Sequence, residues 1–165
     1  MLVCFQTVLF QTFGGGVADI DPWERNIDWQ LLIAFSHSNR AITRLTRAVG
    51  LTPGQPKILQ YLTTHNGCTQ KEIGEGCALD KSTVTSILTR MEADGLITRS
   101  VRAGNRREAC VLLTEPGAER AHVAAANTAR VDEVALDGLT EDERRQLSDL
   151  LARVIRNLKQ NGGEA

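Results

Sequence analysis

Apolar positions recur through most of the chain with the 3.6-residue period of a helix, and only once with the alternation of strands. Leu31, Phe35, Ser38, Ile42, Leu45 and Val49 follow one another at spacings of four and three, which predicts the buried seam of a long first helix. Asp21 as N-cap and Pro22 at the first helical position open it, and Gly50-Leu51 closes it. Thr52-Pro53-Gly54-Gln55 starts a second helix with a Thr-to-Gln capping box, and Ile58, Leu59 and Leu62 are its buried face. A further capping box, Thr69-Gln70-Lys71-Glu72, starts a short helix to about Cys77. After the brief turn Ala78-Leu79, Asp80 caps a helix whose Val84, Ile87, Leu88 and Met91 share one face and which Gly95 ends. Ile97 to Arg102 and Ala109 to Thr114 read as strands around a polar tip at 103–108. Thr114-Glu115-Pro116-Gly117 begins a long helix rich in alanine (Ala118, Ala121, Ala124, Ala125, Ala126, Ala129), whose small side chains suit either close packing of subunits or helix propensity alone. Beyond Gly138 the capping box Thr140 to Glu143 opens a last helix with a wide stripe of Leu147, Leu150, Leu151, Val154, Ile155 and Leu158. On an isolated subunit that stripe is an exposed patch, so burial against a second chain is expected.

Two short helices joined by a tight turn and followed by a hairpin make a winged helix-turn-helix. The second of those helices has a polar face of Lys81, Ser82, Thr83, Thr85, Ser86, Thr89 and Arg90: short hydroxyls and cations that can approach base edges and phosphates. The net charge of −1 hides a strong asymmetry. Residues 1–39 carry −3, residues 40–107 carry +6 and residues 108–165 carry −4, so the basic centre coincides with the helix-turn-helix.

The run from Leu51-Thr52-Pro53-Gly54-Gln55 through Thr69-Gln70-Lys71-Glu72-Ile73, Asp80-Lys81-Ser82-Thr83-Val84-Thr85 and Gly95-Leu96-Ile97 to Leu112-Leu113-Thr114 resembles the multiple antibiotic resistance regulator (MarR) family, over roughly residues 25 to 160. The resemblance implies a mainly α fold with a small β wing, a winged helix-turn-helix at about 51–114, and dimerisation helices at about 22–49 and 115–160. It implies a homodimer that binds double-stranded DNA, usually as a repressor, and is often released by a small ligand or an oxidised cysteine; a cytoplasmic location is read separately, from cysteines that show no pairing. Family members place an Asp near the wing tip to position an Arg two residues on in the minor groove; the matching positions are Asn105 and Arg107, with Arg106 as a rival. An Asn at 105 can still hydrogen-bond a guanidinium but removes the ion pair. An effector cleft between the first two helices and the alanine-rich helix is implied as well, with Trp29, His37 and Tyr61 as candidate lining for an aromatic or phenolic ligand.

Residues 1–21 stand apart: an apolar start to Phe13 without the positive residues of a secretory signal, then Gly14-Gly15-Gly16. A disordered extension outside the 22–165 domain, or a wrongly chosen start codon, is expected, a strand or helix packing on the partner subunit being the alternative. No apolar run reaches the roughly 20 residues that span a bilayer. Cys4, Cys68, Cys77 and Cys110 show neither CxxC pairing nor metal-ligand spacing with His37, His65 or His122, so no metal and no cofactor are expected. A Ser-His-Asp order and a phosphate loop are both missing, which argues against an enzyme. Two alternatives stay open beside the ligand-responsive regulator: a cysteine-based redox sensor, and a winged helix that docks protein without binding DNA.

Overall fold

The computed structural model describes residues 25–101 and 109–161 of the 165-residue chain. These fall into two compact units that part between Ser36 and His37. Among the described residues no helix is long and apolar enough to cross a membrane.

Helix α1 runs Ile27–Arg47. It begins later than the expected Pro22, which with Asp21 lies outside the described residues. Asn26 is the cap: its side-chain oxygen accepts from the Asp28 amide at 2.9 Å and its carbonyl from the Gln30 amide at 2.9 Å. The expected seam is only partly buried. Phe35 is 58% exposed, whereas Thr46 is buried with its hydroxyl donating to the Ile42 carbonyl at 2.8 Å.

From His37 onward the core is built on α2, Gln55–Thr64. Thr52 is not its N-cap; Gly54 is, at φ +88°. Pro56 cannot donate a backbone hydrogen bond, and its ring excludes a helical carbonyl four residues earlier, so the helix starts only at Gln55. Half of the expected capping box survives, because the Gln55 side chain accepts from the Thr52 amide at 2.8 Å. Buried as it is, Gln55 also donates to Asp94 at 3.0 Å and ties α2 to the end of the helix that Asp80 caps.

A two-residue strand, β1 (Cys68–Thr69), then leads into α3 (Gln70–Cys77). The capping box holds as expected: the Thr69 hydroxyl accepts from the Glu72 amide at 3.2 Å and the Glu72 carboxylate from the Thr69 amide at 2.6 Å. Ala78, left-handed at φ 49°, turns the chain into α4, Lys81–Ala93. Gly95 at φ +71° closes α4, with the Leu96 amide donating to the Met91 carbonyl at 2.9 Å. Strands β2 (Ile97–Val101) and β3 (Ala109–Leu113) form the wing hairpin. The antiparallel sheet order is β1-β3-β2, with Cys68 opposite Val111 and Ile97 opposite Leu113.

Helix α5 (Glu115–Ala135) is capped by Thr114, whose hydroxyl accepts from the Gly117 amide at 3.0 Å. Ala121 and Ala124 are fully buried in this subunit's own core, so two of the alanines serve close approach within the chain, where α5 packs on α2. Gly117 is required for a similar reason: a Cβ there would stand 1.8 Å from the Leu96 carbonyl oxygen. Ile58, Leu59, Leu62, Ile73, Val84, Leu88 and Met91 complete the centre. Helix α6 (Glu141–Asn161) starts on the Thr140–Glu143 capping box. Its Leu147, Leu150, Leu151, Ile155 and Leu158 are all exposed.

Candidate nucleic-acid interface

Three apolar residues hold α4 to the core. Val84, Leu88 and Met91 are fully buried, so the opposite face of α4 is obliged to point outward. Lys81, Ser82, Thr85, Ser86, Thr89 and Arg90 lie on it exposed, and Thr83 is half-buried beside them. Ile87, at the edge, closes on Gly54, where an added Cβ would fall 2.5 Å from its Cδ1. Seven of the sequence-predicted contact residues are thus brought together on one helix. Asn105, Arg106 and Arg107 lie outside the described residues.

The hydroxyls are less free than the sequence suggests. Asp80 accepts from the Ser82 hydroxyl at 2.5 Å, the Thr83 hydroxyl at 2.5 Å and the Thr83 amide at 2.8 Å. The Ser82 and Thr83 hydrogen bonds hold the Asp80 carboxyl well below the usual carboxylate range. The Thr85 hydroxyl donates back to the Lys81 carbonyl at 2.7 Å and accepts from the Gln70 side-chain amide. Ser82 and Thr83 are left with acceptor capacity only, whereas Ser86 keeps its proton available among the described residues.

Two residues the sequence reading missed shape this surface. Gln70, the first residue of α3, reaches Thr85 across fifteen positions. Arg99 on β2 pairs with Glu92 at 3.3 Å and donates to Thr89 at 3.4 Å, which binds the wing to the last turns of α4 and neutralises one cation of the basic centre. Neither has a local signal, since both contacts depend on how α3 and the sheet fold back onto α4. A groove of about 400 Å³ opens between α3 and the start of α4, lined by Gln70, Lys71, Gly74, Glu75, Leu79 and Lys81.

The candidate effector residues sit elsewhere, and none of them lines that groove. Trp29 is 41% exposed on α1 and His37 is exposed on the same helix. Tyr61 is half-buried, its ring stacked on His65 at 4.2 Å between centroids and lying where a Cβ on Gly76 would be. Burial pushes the thiols of Cys68 and Cys77 upward, Glu72 adding to the rise at Cys68. Among the described residues no group of three His, Cys, Asp or Glu is placed to hold a metal ion.

Comparison with known proteins agrees with this architecture. Residues 51–109 match the model of the MarR family. The chain is 31% identical over 147 residues to the HTH-type transcriptional regulator TtmR of Methylorubrum extorquens, spanning 87% of this chain and 73% of the relative. It is 37% identical over 93 residues to the organic hydroperoxide resistance transcriptional regulator of Bacillus subtilis, spanning 54% and 63%. The fold is similar to a MarR family transcriptional regulator of Listeria monocytogenes solved with a 26mer DNA, at TM-score 0.80 and 21% identity over 83% of this chain and 91% of that one. These similar proteins are transcriptional regulators, not enzymes. On the match of its helix-turn-helix and the extent of its likeness to TtmR, the chain belongs to the MarR family of winged helix-turn-helix transcriptional regulators.

Proposed function

We propose that the protein is a ligand-responsive repressor that binds a palindromic operator as a homodimer. One observation carries the reading: the outward face of α4, rigidly seated by Val84, Leu88 and Met91, presents Lys81, Ser86 and Arg90 from the second helix of a helix-turn-helix. In this arrangement α4 enters the major groove, Ser82, Thr83, Thr85 and Ser86 face bases or phosphates, and Lys81, Thr89 and Arg90 grip phosphates. From the wing, Arg107, or its rival Arg106, is the proposed minor-groove contact, with Asn105 in the place of the family's positioning Asp. The exposed apolar sides of α1 and α6 join two subunits, which sets two copies of α4 about 34 Å apart and makes the target palindromic. The DNA in the Listeria protein's structure supports the choice of duplex over protein as the partner.

An aromatic or phenolic effector is the proposed trigger, with His37 and Tyr61 as its candidate contacts. Likeness to the hydroperoxide regulator favours a thiol switch as the second reading. Against it, Cys68 and Cys77 have raised thiol pKa values and so hold little of the thiolate that peroxide attacks. The test is to select bound fragments from randomised and genomic duplexes, then measure their affinity with and without simple phenols and with and without peroxide. A palindromic consensus released by a phenol supports the proposal. Selection of no duplex overturns it, and release by peroxide alone transfers the trigger to a thiol.

A further inference from the structure

The hydrogen bonds of Thr85 determine which part of its side chain is left for a ligand. A threonine oxygen has one proton and two lone pairs. The Lys81 carbonyl can only accept, so at 2.7 Å it fixes the Thr85 proton, and Gln70 must then present its NH2 group to the same oxygen. The oxygen is turned back onto α4 and occupied from α3, yet the residue is exposed. What it offers outward is the Cγ2 methyl. No other hydroxyl in the first two turns of α4 does so: Ser82 and Ser86 have no methyl, and Thr83 is half-buried.

We propose that Thr85 reads the 5-methyl group of a thymine in the major groove, and that Gln70 is a positioning residue that holds the hydroxyl away from the base. Thymine is the one base whose major-groove edge carries an apolar knob, and a threonine methyl is a fitting counterpart. A free hydroxyl, donor and acceptor at once, accommodates any base edge; with its proton and one lone pair engaged, the Thr85 hydroxyl can no longer donate to a base, which narrows a permissive contact. The inference rests on the DNA-binding reading above and adds a base preference to it.

The experiment uses the full chain and a duplex recovered by selection, with each thymine replaced in turn by deoxyuridine, which removes only the methyl group. Wild-type protein should lose about four-fold in affinity at one thymine per half-site, the worth of one buried carbon. Thr85→Val keeps the methyl and should retain that loss. Thr85→Ser, which lacks it, should bind the thymine and deoxyuridine duplexes alike. Gln70→Ala should reduce the discrimination while leaving the far-UV spectrum unchanged, a combination that a purely structural role for Gln70 does not produce. If no thymine responds, or if Thr85→Ser keeps the discrimination and Thr85→Val loses it, this inference is overturned and the DNA-binding reading stands. A protein that selects no duplex overturns both.

Discussion

Ile155 offers the sharpest test of how two subunits meet. It is 53% exposed on α6, in line with Leu151 and Leu158. Full burial of a large aliphatic side chain is worth about 1.5–3 kcal/mol, so the half still open to solvent has about 1 kcal/mol left to gain at an interface. Two-fold symmetry counts the loss twice. Ile155→Ala should therefore weaken dimerisation by about 2 kcal/mol, which is roughly twenty- to thirty-fold in dissociation constant. Sedimentation equilibrium over a concentration series reads this directly, and far-UV circular dichroism verifies that the helices persist. Arg153→Ala, on the opposite side of α6, is the control and should leave the constant unchanged. DNA affinity of the Ile155 variant should fall only below the concentration at which the dimer reforms. A folded Ile155→Ala protein that dimerises as tightly as wild type would show that the stripe of α6 is not the interface.

Other expectations concern the scaffold and the reading head. Gly117→Ala drives a methyl into the Leu96 carbonyl and should cost roughly 1–3 kcal/mol or more of stability, visible as a lower urea midpoint, because both atoms in conflict are anchored by backbone. The Asp80 cap has a depressed folded-state pKa, so its contribution is complete above the ordinary carboxylate range and disappears as pH falls through the folded value. Amide exchange at Thr83 should stay protected at pH 5 and lose protection only in strong acid; with Asp80→Asn that acid-dependent step should vanish. Arg90→Ala and Arg107→Ala should each lower the slope of log affinity against log salt by about one unit per subunit copy, measured by fluorescence anisotropy, and Arg90→Ala should do so without altering the preferred sequence.

Much of the fold was legible because its boundaries are chemical. Thr69 with Glu72, Thr140 with Glu143, Asp80 and Gly95 each satisfy orphan backbone groups with their own or adjacent atoms, and all four stand where spacing alone put them. What escaped was set by distant partners. Two residues cannot display a period, so β1 exists only because Cys68 and Thr69 find Val111 and Cys110. Phe35 belongs to a clean heptad-like series yet is exposed, since periodicity announces an apolar face without saying which chain covers it. Pro56 overrode the Thr52 cap. At the interface, residue types identified the outward face of α4, but the occupation of the Ser82, Thr83 and Thr85 hydroxyls depends on Asp80 and Gln70 geometry that no spacing rule encodes.

The central claim is that the basic outward face of α4 and the wing, doubled by subunit pairing, fit the grooves of duplex DNA. Titration of a selected duplex over a range of salt concentrations tests it most directly. Lys81, Arg90, Arg106 and Arg107 from two subunits give a limiting slope of about −7 in log affinity against log salt, and a palindromic duplex should saturate at one dimer per site. A monomer that ignores every duplex at low ionic strength, or one whose binding shows no salt slope, would contradict the account.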